Sequence, residues 1–152
     1  RRQRQMCIRD SYKDTSSSDA VYMLDWYAYG IGKVPAKVAT TYQNISDAWS
    51  LLIDQKWHDR ITAIKANDGG LSYVEFFEYR KNKMSIPLFN IYCATGSNRE
   101  YYAERTDLIQ LGQTTQAIYF AKLTNEGEQS ELALTGDEIK ARFSLVNQAW
   151  NN

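Results

Sequence analysis

The stretch Ile61–Tyr79, ITAIKANDGGLSYVEFFEY, constrains this chain more than any other. Ile61–Ala66 is a short run rich in β-branched and apolar residues, and NDGG at Asn67–Gly70 is a tight-turn signal, because asparagine and glycine tolerate positive φ at little cost. Beyond the turn, Leu71, Tyr73, Phe77 and Tyr79 alternate with Val74 and Phe76, the period of a pleated strand. A β-hairpin follows. The rest of the composition agrees: eleven tyrosines and four tryptophans against two prolines favour strands, since aromatic rings fit a half-buried pleated surface.

Similar runs punctuate the chain on both sides. VYMLDWYAYG up to Gly30 and GKVPAKVATTYQN after it are strand-like. They read equally as an extra hairpin or as the surviving end of a preceding domain, with YKDTSSSD at Tyr12–Asp19 as a polar linker. From Ser46 onward, Trp49, Leu51 and Ile53 alternate as a strand, and a polar turn or short helix carries Trp57. RKNKM connects to SIPLFNIYCAT, the most apolar strand and hence the candidate for a central position. Gly96 ends it. SNREYYAERTD is predicted to form a helix of two or three turns, begun by Ser97 or Asn98. LIQLG and QAIYFAKL form a further strand pair, and TNEGEQSE reads as a loop with Gly127 at its tip. The closing helix starts near Gly136, with Thr135 as cap, Asp137 and Glu138 in the first turn, and Ile139, Phe143 and Val146 at helical spacing.

The expected fold class is therefore α+β: one central, mainly antiparallel sheet flanked by helices. Residues 46–152 make up that domain, and 12–45 are a linker and either the end of a preceding domain or an extra hairpin.

Arg1–Ser11, RRQRQMCIRDS, has no apolar period. It resembles an in-frame translation of the transposon-end adapter used in preparing sequencing libraries, and is expected to be an artefact rather than a basic arm. Setting it aside removes four basic residues and one acidic residue from a balance of 18 and 18, so the remainder is mildly acidic. Cys7 goes with it. Cys93 is left alone and no intramolecular disulfide is expected. On this reading Tyr12 and Asn152 are cut ends of a longer gene, with any signal peptide or lipid anchor encoded upstream.

Ile53, Trp57, Ile61, Thr62, the aromatic strand around Phe76, LFNIY at Leu88–Tyr92, TGSNR at Thr95–Arg99, AIYFA at Ala117–Ala121 and the helix to Phe143 together form a succession with a parallel elsewhere. The order resembles uncharacterised secreted or lipoprotein domains of Gram-positive bacteria, over about Ala48 to Val146. The resemblance implies a PsbP-like α/β/α sandwich and a cell-envelope address, and carries no catalytic residues. Members usually have proline directly after the strand that precedes the tryptophan, where this chain has Asp54.

The chemistry-bearing residues are few. His58 is the sole histidine and Cys93 its only thiol partner outside the adapter, but Cys93 lies in an apolar strand, where a thiol behaves as a small hydrophobe. Metal binding is not expected, because a structural zinc site takes four Cys or His ligands and NDGG is too short for a calcium loop. Glu75/Glu78, Asp137/Glu138 and Glu126/Glu128/Glu131 read as strand edges, caps and loops rather than acid/base couples. No phosphate loop, nucleophile elbow or dinucleotide fingerprint occurs, so neither cofactor nor enzymatic activity is expected. Arg80, Lys81 and Lys83 are too small a basic cluster for nucleic acid. NIS at Asn44–Ser46 matches a glycosylation sequon.

The most suggestive surface is SNREYYAER, where Arg99, Tyr101 and Tyr102 combine the residue types that hold sugar rings or partner proteins. The functional expectation is a non-catalytic extracytoplasmic module, extracellular or in the envelope of a Gram-positive bacterium. It would bind a protein or cell-wall polysaccharide, and would reach a membrane only through an upstream anchor. The alternatives are a cytoplasmic adaptor or regulatory domain and a small thiol-dependent hydrolase using Cys93.

Overall fold

A computed structural model describes residues 4–11, 21–80 and 83–146. The expected linker at Tyr12–Asp19, Lys81 and the end at Asn152 lie outside the described residues. Among the described residues, ten strands form two antiparallel sheets of five. The first has β1 (Arg4–Ser11), β2 (Val21–Ala28), β3 (Ala36–Asn44), β4 (Trp49–Leu52) and β10 (Phe143–Leu145), in that spatial order. The second runs β5 (Ile61–Asp68), β6 (Leu71–Arg80), β7 (Lys83–Thr95), β9 (Ala117–Leu123), β8 (Ile109–Gln113), so β7 has neighbours on both sides. β1 lies on the outer edge of the first sheet, Arg4 opposite Ala28 and Ser11 opposite Val21.

The predicted hairpin is the β5–β6 pair. Asp68 stands opposite Leu71, and Gly69 takes the positive φ of 63° that the two-residue turn requires. Its register sends Val74, Phe76 and Glu78 to the inner face. Tyr42, Trp49 and Leu51 of the first sheet meet Val74, Phe76, Phe89, Ile91, Tyr119 and Ala121 of the second in one core. The sheets join ring to ring: Tyr42 stands edge-on to Phe76 at 5.4 Å, and Phe143 lies between Trp49 at 5.8 Å and Tyr119 at 5.6 Å.

This overturns the α+β expectation and the PsbP-like sandwich with it. The protein is mostly β, and its longest described helix has seven residues. The inner face of the second sheet, where helices were expected to pack, is covered by the first sheet instead, which includes the strand pair before Ser46. The closing helix α3 (Gly136–Arg142) has the expected cap: Thr135 and Glu138 bond reciprocally in a capping box. It stops one residue before Phe143, whose NH still closes on the Ile139 carbonyl. From there the chain extends, Phe143 opposite Leu51 and Leu145 opposite Trp49, so a ladder on β4 replaces a further helical turn. The loop expected around Gly127 is a short helix, α2 (Asn125–Glu128), with Gly127 buried at its base.

Candidate functional site

The residues singled out for binding sit on α1 (Arg99–Ala103), which crosses one corner of the outer face of the second sheet. The chain enters it through Gly96 at φ 83°. The helix has only five residues and Asn98 makes no side-chain cap, so side-chain contacts hold it in place. Arg99 supplies one set: its guanidinium donates to the Gly96 carbonyl at 3.0 Å and the Thr115 carbonyl at 3.3 Å, tying α1 to the β8–β9 turn. Tyr102 supplies the other. Its ring stacks on Phe120 at 5.3 Å, Phe120 stacks on Tyr92 at 5.0 Å, and Tyr92 meets Tyr73 at 5.2 Å. Four rings thus run across β9, β7 and β6, with Ala94, Ile118, Leu71 and Leu108 packed among them.

Tyr101 stands edge-on to Tyr102 at 5.5 Å and is 65% exposed. Stacking engages the faces of Tyr102, Phe120 and Tyr92 with one another. Tyr101 is the ring of this series presented to solvent, on a support that restricts its motion. The three predicted residues are therefore brought together but divide the work: Arg99 is engaged with backbone carbonyls, Tyr102 is a packing ring, and Tyr101 offers a planar apolar face with a hydroxyl. Such a ring can stack on the apolar face of a sugar or fill a pocket on a partner.

The other candidates are separated. The His58 side chain is half exposed beside Asp59, with Nε2 3.3 Å from the Asp59 carboxylate. Trp57, its neighbour, packs on Phe89, four residues from Cys93 and so about 13 Å along β7. Glu75 and Glu78 also part. Glu75 lies opposite Ile64 and Asn90 on the outer face, whereas Glu78 is fully buried on the inner one. Glu78 accepts from the Ser130 hydroxyl at 2.9 Å and lies 3.7 Å from the Arg60 guanidinium, which also bonds Glu131. Its burial corrects the strand-edge reading. The parity Val74, Phe76, Glu78 carries the signal: an acidic residue occupies an inward position of a strand whose other inward residues are apolar. Asn44 is buried, its amide donating to Asp47 at 3.1 Å, so the sequon is not presented at the surface.

A polar junction between the sheets, not foreseen from the sequence, surrounds Asp47. Its carboxylate accepts from Ser72 at 2.8 Å, and its carbonyl accepts from the Tyr119 hydroxyl at 2.6 Å. Cys93 lies beside Tyr119 and Ser72. Burial pushes the thiol up from 9.0 to about 11, with the Asp47 charge adding to the shift. Burial likewise pushes the Tyr119 phenol up to about 12, with Cys93 adding to it. Both acids are more readily ionised once unfolded, so their contribution to stability is complete below pH 9 and declines as pH rises through about 11 and then about 12. Thermal melts from pH 7 to 11 are expected to show Tm falling above pH 9, with a smaller fall for Cys93→Ala. A flat profile for the parent protein would contradict the buried junction. Among the described residues, no three His, Cys, Asp or Glu side chains converge to hold a metal ion.

Compared with known proteins, the chain matches no family model, no curated protein and no solved structure.

Proposed function

We propose that this domain is a non-catalytic binding module acting outside the cytoplasm, and that it engages its partner through the α1 corner. The observation that carries the reading is Tyr101: a large aromatic side chain, 65% exposed, supported by Tyr102 and the Phe120 stack and placed beside an Arg99 already fixed to backbone. A surface of this kind lowers the entropy cost of binding, because the anchoring ring is ordered before the partner arrives. The extracytoplasmic address rests on the order of apolar and aromatic residues over 48–146 alone, not on the PsbP-like sandwich, which the two-sheet fold excludes. Wall polysaccharide and wall-associated protein are the partner classes that suit a tyrosine able to stack and to hydrogen-bond.

Sedimentation of the full chain with purified Gram-positive cell walls tests this. The parent protein should co-sediment, and Tyr101→Ala should weaken retention about tenfold or more, as expected for loss of an aromatic anchor. The same variant should keep its Tm, because the removed ring is mostly in water. Equal retention of the two proteins would reject the α1 corner as the binding surface.

A further inference from the structure

A second surface, independent of the α1 corner, lies at the end of the first sheet. Among the described residues, pairing of β3 with β4 begins only at Thr41, and β1 pairs along β2 as far as Ala28. The apex of the β2–β3 hairpin, Tyr29–Pro35, therefore extends past the described parts of the strands on either side. It closes through a bond from the Lys33 NH to the Gly30 carbonyl at 3.1 Å, with Gly32 at φ 71°. Ile31 is fully exposed, Val34 is 88% exposed, and Val38, just behind them, is 56% exposed. Half of the exposed large apolar side chains among the described residues thus gather on this projection. Burial in this fold does not account for them.

The surroundings of these side chains identify what they fit. No acidic residue occurs between Asp25 and Asp47, whereas Lys33 sits in the turn itself. Lys37 is bonded to Asp25 at 2.8 Å, and Lys33 is the cation within the described turn. Tyr29 at the base of the apex and Trp26 and Tyr27 on β2 lead toward the body of the domain, with the Trp26 indole held by the Thr41 hydroxyl at 2.9 Å. Apolar tip, cation beside it and aromatic collar behind is the order of environments met on entering a bilayer from an anionic headgroup layer. The apex is convex, so it suits a deformable planar interface better than a rigid face. Pro35 brings no backbone NH, which reduces the donors that shallow insertion would leave unpaired. No described helix is long and apolar enough to cross a membrane, and none is needed for such a contact.

We propose that the β2–β3 apex is a membrane-contact tip that dips Ile31 and Val34 into an anionic bilayer surface while Lys33 meets the lipid phosphates. Vesicle flotation of the full chain tests it, using equal parts phosphatidylglycerol and phosphatidylcholine against phosphatidylcholine alone. The parent protein should float with the anionic vesicles, and the double variant Ile31→Ser/Val34→Ser should partition about tenfold less or weaker still, as expected for removing two side chains that bury on contact. Lys33→Glu should weaken binding to the anionic vesicles. Tyr101→Ala should bind them like the parent, which keeps this proposal separable from the wall-binding one. Three results would overturn it. The parent protein does not float; the double variant floats equally, as it would if the retained arginines of Arg1–Arg9 were responsible; or the parent self-associates without lipid and the double variant does not, which would make the tip a protein interface. The double variant is expected to fold, since the side chains it shortens are exposed.

Discussion

Trp57→Ala is expected to lower the unfolding free energy by about 3–5 kcal/mol, the range for deleting a large aromatic from a packed core. Trp57 is 1% exposed, its ring lies against Phe89 at 5.6 Å, and its indole NH donates to the Leu132 carbonyl at 2.7 Å. Two losses coincide. The short 3-10 turn Gln55–Trp57 that carries the ring has no other side chain to fill the cavity, and the Leu132 carbonyl is left without that donor in a buried setting. Trp57→Phe weighs them, because it keeps most of the ring volume while losing the donor and a small part of the packing; about 1–3 kcal/mol is expected there. Domains of this size typically have 5–15 kcal/mol in total, so the alanine variant should be near the limit of folding. Urea titrations of the three proteins measure both steps. Near-equal midpoints for Trp57→Ala and the parent would show that the Trp57 contact does not tie the 130–134 segment to the core.

Gly127→Ala is the second large effect, and its sign distinguishes local from tertiary control. Judged as a helical position, glycine to alanine should stabilise by about 1 kcal/mol. Judged in place, the added methyl would lie 2.2 Å from the Leu88 carbonyl oxygen, 2.5 Å from the Thr124 hydroxyl and 2.6 Å from the Leu88 Cα. Two of those atoms belong to the backbone of β7. The third is the α2 cap, whose oxygen accepts from the Gly127 NH at 2.9 Å and also bonds the Leu88 carbonyl at 3.0 Å. None is the far end of a flexible chain that can swing away, so α2 must lift off the sheet. A loss of about 1–3 kcal/mol or more is expected, the cost of forcing extra volume into a packed site. A Tm equal to or above that of the parent would show that α2 does not press on β7.

Glu78 and Phe143 show how far local pattern reaches. The alternation Val74, Phe76, Glu78 identifies the inward face of β6, but whether an inward carboxylate is tolerated depends on Arg60 and Ser130, residues from other parts of the chain. Ile139, Phe143 and Val146 recur at helical spacing, and three such positions within one short segment suit a helix. The chain leaves the helix at Phe143 because the extended form places that ring between Trp49 and Tyr119 and pairs Leu145 with Trp49. Packing and a strand ladder outweigh one further turn, since intrinsic helix preference amounts to only tenths of a kcal/mol per residue.

The candidate site divides in the same way. Arg99, Tyr101 and Tyr102 stand out as residue types, yet Tyr101 and Tyr102 are identical and adjacent, and nothing local says which ring packs. Phe120 decides it by receiving Tyr102 and leaving Tyr101 outside. The Asp47 junction was silent in the sequence, because its members come from a turn and three strands that only the stacking of the sheets brings together.

What the sequence by itself determined is what arises within one turn or one strand. The Gly69–Gly70 hairpin, the Thr135–Glu138 capping box, the alternation of β6 and the apolar character of β7 all follow from backbone sterics and side-chain period over a few residues. The tertiary structure alone decided that a second sheet, rather than helices, covers the inner face of β5–β9. A pleated strand records which of its faces is apolar, but any apolar surface of the right shape can cover it, and that choice is made by contacts between residues far apart in the chain.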